Sequence, residues 1–279
     1  MHALAVALIF AAATSASAQV RYATGQNVAP AFEGWERNPN GTFTMVFGYL
    51  NRNYEEEVDI PIGPNNTIEP GGDRGQPTHF YSRRQRFVFR VAVPKDWDKN
   101  RKMVWTLTAH GRTDVAKGWL QPEWELNPGV ISENSGAGVV DYDNQPPSVT
   151  AGSPAQTITL PNTVPLTVSA TDDGLPKPRP RRPPVADVNP AANVLNPDPP
   201  VRRPEGLRIK WIQYRGPGKV TFDPDSVPAV YGKPVTLTTR ANFSAPGTYV
   251  LRAIASDGAF ESAHDVTVTV NPATSAQKR

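Results

Sequence analysis

The sequence predicts an all-β protein of two β-sandwich domains behind a signal peptide. Three observations predict it. Apolar residues recur with period two in short runs rich in Val, Ile, Thr, Phe and Tyr, the pattern of half-buried strands. Clusters of Gly, Pro, Asn and Asp separate those runs, and the chain holds 30 Pro and 21 Gly, which act as turn punctuation. Its 279 residues suit two domains of roughly 100–150 residues each.

The chain opens on an apolar run, Leu4 to Ala13, too short for the ~20 residues of a membrane helix. Ala16-Ser17-Ala18 follows as a small-x-small cleavage site, so residues 1–18 read as a secretory signal and the mature chain as starting at Gln19. A buried N-terminal helix is the alternative. No second long apolar run follows, so no transmembrane span is expected, and the localisation is secreted or periplasmic. The chain has no cysteine, which leaves no thiol for a lipid anchor and no disulfide; the fold rests on its own core. Residues 1–18 carry no Lys, Arg, Asp or Glu, so the net charge of +3 belongs to the mature protein. That is too mild to mark a nucleic-acid binder.

Residues 19–32 read as a flexible lead-in, and residues 32–120 as the first domain. Phe43, Met45, Phe47 and Tyr49 alternate with their neighbours in one strand. Glu55, Glu56, Glu57 and Asp59 follow, then a long loop over 60–85 rich in Gly, Pro and Asn. Phe87, Phe89, Val91 and Val93 define the clearest strand of this half, and Met103–Ala109 another, with Trp105 and Leu107 facing inward. His110-Gly111-Arg112 turns the chain, and Thr113–Leu120 returns. No segment reads as a helix. Residues 121–145 read as a linker.

The second domain is assigned to 146–272. Its strands are expected at Thr157–Leu160, Val164–Ala170, Leu207–Tyr214, Lys219–Phe222, Val235–Thr239 and in a closing hairpin. There Tyr249, Leu251, Ala253 and Ala255 form one arm, and Val266, Val268 and Val270 the other. Asp257-Gly258 supplies the turn. Between them lies an insertion at 176–204, P-K-P-R-P-R-R-P-P and later P-D-P-P-V-R-R-P. Proline at this density removes backbone donors and favours polyproline II, so an irregular loop is expected.

Within this half, P-P-S-V-T-A-G at Pro146–Gly152, V-S-A-T-D-D-G-L-P at Val168–Pro176, L-R-I-K-W-I-Q at Leu207–Gln213 and F-S-A-P-G-T-Y-V-L-R-A at Phe243–Ala253 stand in order. Together they resemble the Ig-like sandwich domains of the polycystic-kidney-disease (PKD) type found in bacterial surface and secreted proteins. The W-D-F-G-D-G motif typical of that family is absent, and Trp211-Ile212-Gln213 stands in its place, which marks a divergent relative. The resemblance implies an Ig-like fold and a spacer or adhesion role without catalysis. In the first half, F-E-G-W-E-R-N-P-N-G at Phe32–Gly41, M-V-F-G-Y-L-N-R-N at Met45–Asn53 and G-Q-P-T-H-F at Gly75–Phe80 resemble a group of uncharacterised secreted bacterial proteins. That resemblance implies no mechanism.

Sites are sparse. His79, His110 and His264 show no metalloprotease spacing, and no phosphate loop or Gly-x-Ser-x-Gly elbow is present. The expectation is a non-enzymatic recognition, adhesion or scaffolding protein of the bacterial cell envelope, with a polysaccharide or protein partner. Two alternatives stay open. One is a carbohydrate-binding module that uses exposed Trp97 and Trp119, the former placed in a turn after Pro94-Lys95-Asp96. The other is a hydrolase with its site in the 60–85 loop, which requires His79, Asp73 and Glu57 to converge. No cofactor is expected apart from calcium. Asp172 and Asp173 open the B–C loop of an Ig-like sandwich and Asp257 sits in its F–G turn. Asp141 and Asp143 enter the same end in D-Y-D-N-Q-P-P, a linker similar to the calcium-binding linker of cadherins, although Tyr142 replaces an asparagine and the other cadherin motifs are missing. Calcium takes six to eight oxygens, and five carboxylates with Asn144 offer them. The plain alternative is that each Asp makes a turn through its own side chain.

Overall fold

The computed structural model describes residues 21–135, 141–152, 155–178 and 206–273. The signal segment 1–18 lies outside the described residues, as does the insertion from residue 179 onward.

In chain order the first half forms β1 (Val28–Arg37), β2 (Phe43–Asn51), β3 (Val58–Asp59), β4 (Asn66–Glu69), β5 (His79–Phe80), β6 (Arg83–Val93), β7 (Met103–Ala109) and β8 (Arg112–Gly118). Two three-stranded sheets result, ordered β1-β2-β6 and β4-β7-β8, with β3 and β5 as a small third pair. An aromatic core joins the two larger sheets. Phe47 of β2 stacks on Phe89 of β6 with ring centres 5.4 Å apart, and Trp105 of β7 meets Phe89 edge-on at 4.9 Å. Ile68, Met103 and Leu107 fill the space around them. Large rings dominate such a core because each buries so much apolar surface.

Three features of this half depart from the sequence expectation. β1 starts at Val28, inside the stretch read as a lead-in. Its pattern is broken by Pro30 and by a bulge between Phe32 and Gly34. At Gly34 φ is +135°, and a Cβ there would strike the Trp124 carbonyl and the Leu126 side chain. The 60–85 loop, read as irregular, carries β4 and β5 and fully buries Ile68 and Phe80. The linker 121–145 holds a 3-10 turn at Pro122–Trp124 and a helix, α1 (Pro128–Asn134). Asn127 caps α1 by accepting from the Val130 N–H at 3.0 Å, and Pro128 stands at a first-turn position where its missing N–H costs nothing. The Leu126 N–H donates to the Trp35 carbonyl at 2.7 Å, which ties the linker to β1.

The second half forms β9 (Ser148–Ala151), β10 (Ala155–Thr159), β11 (Val164–Thr171), β12 (Arg208–Arg215), β13 (Val220–Asp223), β14 (Val235–Phe243), β15 (Gly247–Ser256) and β16 (Glu261–Asn271). One sheet is ordered β13-β14-β11-β9, the other β10-β16-β15-β12. β9 runs antiparallel to β11, whereas β10 runs parallel to β16, so the first strand of the domain is shared between the sheets. With β9, β11, β14 and β13 as A, B, E and D, and β12, β15 and β16 as C, F and G, this is the strand order of an Ig-like sandwich. β14 alternates buried and exposed residues along its whole length, as a strand with one face on a core must. Trp211 of β12 is buried in that core and stacks with Phe222 at 6.3 Å. The hairpin of β15 and β16 turns at Asp257, whose Oδ1 accepts from the Ala259 and Phe260 N–H groups, and at Gly258, where φ is +99°.

Candidate functional site

Three of the predicted aspartates gather at the end of the second sandwich that faces the linker. Asp172 and Asp173 follow β11, and Asp257 closes the β15–β16 hairpin. Each spends one oxygen on its own turn. Asp172 Oδ2 accepts from Gly174, Asp173 Oδ1 from Leu175 and Asp257 Oδ1 from Ala259. Asp173 Oδ2 also accepts from the Gln145 N–H at 2.9 Å, which fixes the linker to this end. Burial raises the Asp172 carboxyl to about 6, and the negative charges of Asp257 and Asp173 add to the rise. Burial likewise raises Asp257, against the pull of the Phe260 and Ala259 N–H groups and the Asn144 amide.

Asn144 is 5% exposed, and both its Oδ1 and Nδ2 lack a hydrogen-bond partner in good geometry. Asp172 Oδ1 and Asp257 Oδ2 are buried and unpartnered as well. Unpaired buried polar atoms are costly. Asp141 and Asp143 form a turn of their own, in which the Asp143 N–H donates to Asp141 Oδ1 at 3.2 Å. Among the described residues no three acidic or histidine side chains stand together as a metal-holding group. The side-chain turns of the plain alternative are present at Asp141, Asp172, Asp173 and Asp257, whereas Asp143 enters through its backbone.

Trp97 is not the exposed indole that its turn position implied. It is 7% exposed, joins the first core, donates from Nε1 to the Arg101 carbonyl at 3.2 Å and lies 4.3 Å under the Arg101 guanidinium. A ring of this size loses too much by staying in water, so the turn folds it inward. Trp119 is half-buried, with Lys102 Nζ 5.5 Å from its ring. Trp124 is the exposed tryptophan of this half, and it stacks on Phe32.

The hydrolase residues do not converge as a set. His79 is buried, and both its ring nitrogens are engaged, Nδ1 with Asp59 Oδ1 at 2.8 Å and Nε2 with Glu57 Oε2 at 3.3 Å. Asp73 turns away to Arg215. His110 sits in its turn at a φ of +49°, with Nε2 3.0 Å from Glu56 Oε1.

One arrangement of polar groups was not anticipated from sequence. It is the seam between the two sandwiches. The stretch 73–81 of the first half lies along the end of β12. There the Thr78 N–H donates to the Tyr214 carbonyl at 3.1 Å, the Gln213 N–H to Tyr81 Oη at 2.9 Å, and Arg215 Nε to the Gln76 carbonyl at 2.8 Å. Tyr214 Oη donates to the Gly75 carbonyl, and the Tyr214 ring is counted within the first core. Arg252 of β15 spans the other side. It pairs with Asp265, stacks 3.5 Å over Tyr214 and donates to the Val88 carbonyl of β6 at 2.7 Å. One signal in the sequence is Gln213-Tyr214-Arg215, where the apolar alternation of β12 gives way to polar and aromatic residues, which the structure leaves with no exposed face.

No family model matches this chain, and no curated protein does. Among solved structures it is similar to domains 4 and 5 of the S-layer protein SbsC, at 8% identity and a TM-score of 0.28, covering 61% of this chain and 65% of that one. It thus spans just under two thirds of that fragment. It is also similar to the PKD domain of human KIAA0319, at 21% identity and a TM-score of 0.22, covering 48% of this chain and 89% of the other. Fibronectin(III)-like modules of Clostridium thermocellum CbhA match at 10% identity and a TM-score of 0.25, covering 90% and 98%. These likenesses are distant, and the strand order described above defines the fold. Among the described residues no helix is long and apolar enough to cross a membrane.

Proposed function

We propose that this is a secreted or periplasmic scaffolding or adhesion protein of the bacterial cell envelope, non-enzymatic, with its two sandwiches working as one rigid unit. The observation that supports this reading is the seam. Two independently moving domains leave their facing surfaces to water. Here Tyr214 is buried in the other sandwich's core, and Arg215 and Arg252 reach across to backbone carbonyls of the first half. A fixed angle between two sandwiches suits a spacer that must present a partner at a set distance. The test is binding of the mature protein to purified envelope polysaccharide and envelope-protein fractions, alongside turnover assays on model glycosides and esters. Saturable binding without turnover is expected. Turnover lost in His79→Ala and Glu57→Ala overturns the reading in favour of a hydrolase.

Calcium at the linker end is a second reading, supported by the unpartnered oxygens of Asn144, Asp172 and Asp257. These residues, with Asp173, would hold the ion, and it would relieve their mutual repulsion. Isothermal titration with calcium after chelation tests it. Heat of binding lost in Asp257→Asn is expected; no heat in the wild type removes the ion from the account.

A further inference from the structure

A cleft of about 930 Å³ opens beside the seam, within the range of roughly 300–1,000 Å³ usual for small-molecule sites. Its floor is the outer face of the sheet that carries β12 and β15; its walls are β6 and α1. Half-buried apolar side chains line it, among them Phe87, Ile131, Ile212 and Ile254. None of the four belongs to either hydrophobic core or packs against one. They are contributed by β6, α1, β12 and β15, so only the assembled pair of sandwiches brings them together.

The charges of the cleft are nearly all paired. Arg252 holds Asp265, Arg90 holds Glu36, and Arg215 holds Asp73. Arg86 differs. It is exposed, its Nη1 donates to the Asn134 carbonyl at 3.0 Å, and although its charge acts on the Glu33 carboxylate that Arg84 holds, it forms no salt bridge of its own among the described residues. A guanidinium with four donors left over beside an apolar strip is complementary to one anionic group on an apolar body.

The backbone at this point is unusual. Phe87 has a φ of +52°, rare for an aromatic residue. It lies in a bulge where the β2–β6 register slips between Phe47 and Tyr49. Glu33, buried beneath it, accepts from the Phe87 N–H and pairs with Arg84 at 2.8 Å. Gly48 leaves the space through which Glu33 reaches, since a Cβ there would meet its Oε1. Bulges of this kind re-aim side chains next to binding sites.

We propose that this cleft binds an amphipathic carboxylate of small-molecule size, its alkyl body on Phe87, Ile131, Ile212 and Ile254 and its carboxylate on Arg86. The binding goes beyond the scaffolding role and does not depend on it. Isothermal titration of the mature protein with decanoate, kept below its micelle concentration, tests it, with decyltrimethylammonium and decyl phosphate as comparison probes. Decanoate is expected to bind at one site and the cation not to bind. Arg86→Glu and Ile254→Glu are each expected to weaken decanoate at least tenfold. Both residues lie outside the cores, and an unchanged unfolding midpoint confirms that the variants fold. The proposal is overturned by the absence of saturable heat with decanoate, by equal binding of the cation, or by tighter binding of decyl phosphate. A concentration-dependent dimer that Ile254→Glu abolishes, without decanoate binding, would assign the cleft to a second copy of the chain instead.

Discussion

Asp73 and Arg215 meet in a two-pronged ion pair, Nη2 to Oδ1 at 2.7 Å and Nη1 to Oδ2 at 3.0 Å, although 142 residues separate them. The pair crosses from one sandwich to the other and closes one end of the seam. The same guanidinium reaches the Gln76 carbonyl, so a single side chain holds both a charge and a backbone group of the other half.

Acid should loosen this contact. Hydrogen bonding to Arg215 is the largest cause holding the Asp73 carboxyl below its ordinary value, and the Gly75 N–H assists. A carboxyl lowered in the folded state contributes stability that is present above its unfolded value, near pH 4, and is lost as pH falls through the folded value. Thermal unfolding of wild type and Asp73→Asn should therefore differ at neutral pH and converge in acid. The neutral-pH difference should be small, since half the Asp73 side chain faces water. Parallel pH profiles for the two proteins would show that the pair contributes nothing.

Tyr214→Ala should uncouple the sandwiches. The side chain is almost fully buried at the seam, and truncating a large ring there costs roughly 3–5 kcal/mol. Calorimetry is expected to show one transition for the wild type and two for the variant. A single transition in both would mean that the remaining contacts suffice to couple the halves.

Trp211→Ala should cost a similar ~3–5 kcal/mol, but within the second sandwich alone. Trp211 is 1% exposed and stacks on Phe222. Denaturant titration followed by the tryptophans of the first half should register the loss only through the seam. An unchanged midpoint for the second sandwich would contradict the packing described here.

Gly48→Ala should strain the β2–β6 bulge. The new methyl group would meet Glu33 Oε1 and the Gln85 carbonyl, and backbone cannot give way as a flexible side chain can. Overpacking of this kind costs about 1–3 kcal/mol. The unfolding midpoint of the variant measures it, and a neutral result would show that the bulge adjusts freely.

The strands of both halves were legible in the sequence because alternation is a property of neighbours in the chain. A strand with one face on a core must place apolar residues two apart, and β6, β7, β14, β15 and β16 do so. The turn at Asp257-Gly258 followed from the same local rules. β1 escaped because Pro30 and the Gly34 bulge break its period, and α1 because its Asn-Pro start is short and lies among linker residues. Trp97 was misplaced for a related reason. Its position in a turn is local, but its burial depends on the core that the turn folds against.

What only the tertiary structure decided is where the ends of the strands go. Nothing near Tyr214 in sequence indicates that it enters the other core, or that Arg215 finds Asp73. Nor does the sequence reveal that β10 runs parallel to β16, or that the side chain of Asn144 is buried beside Asp257. These contacts join residues far apart in the chain and repeat with no period. Their energy depends on the shape of two assembled surfaces, and that shape exists only once both sandwiches have folded.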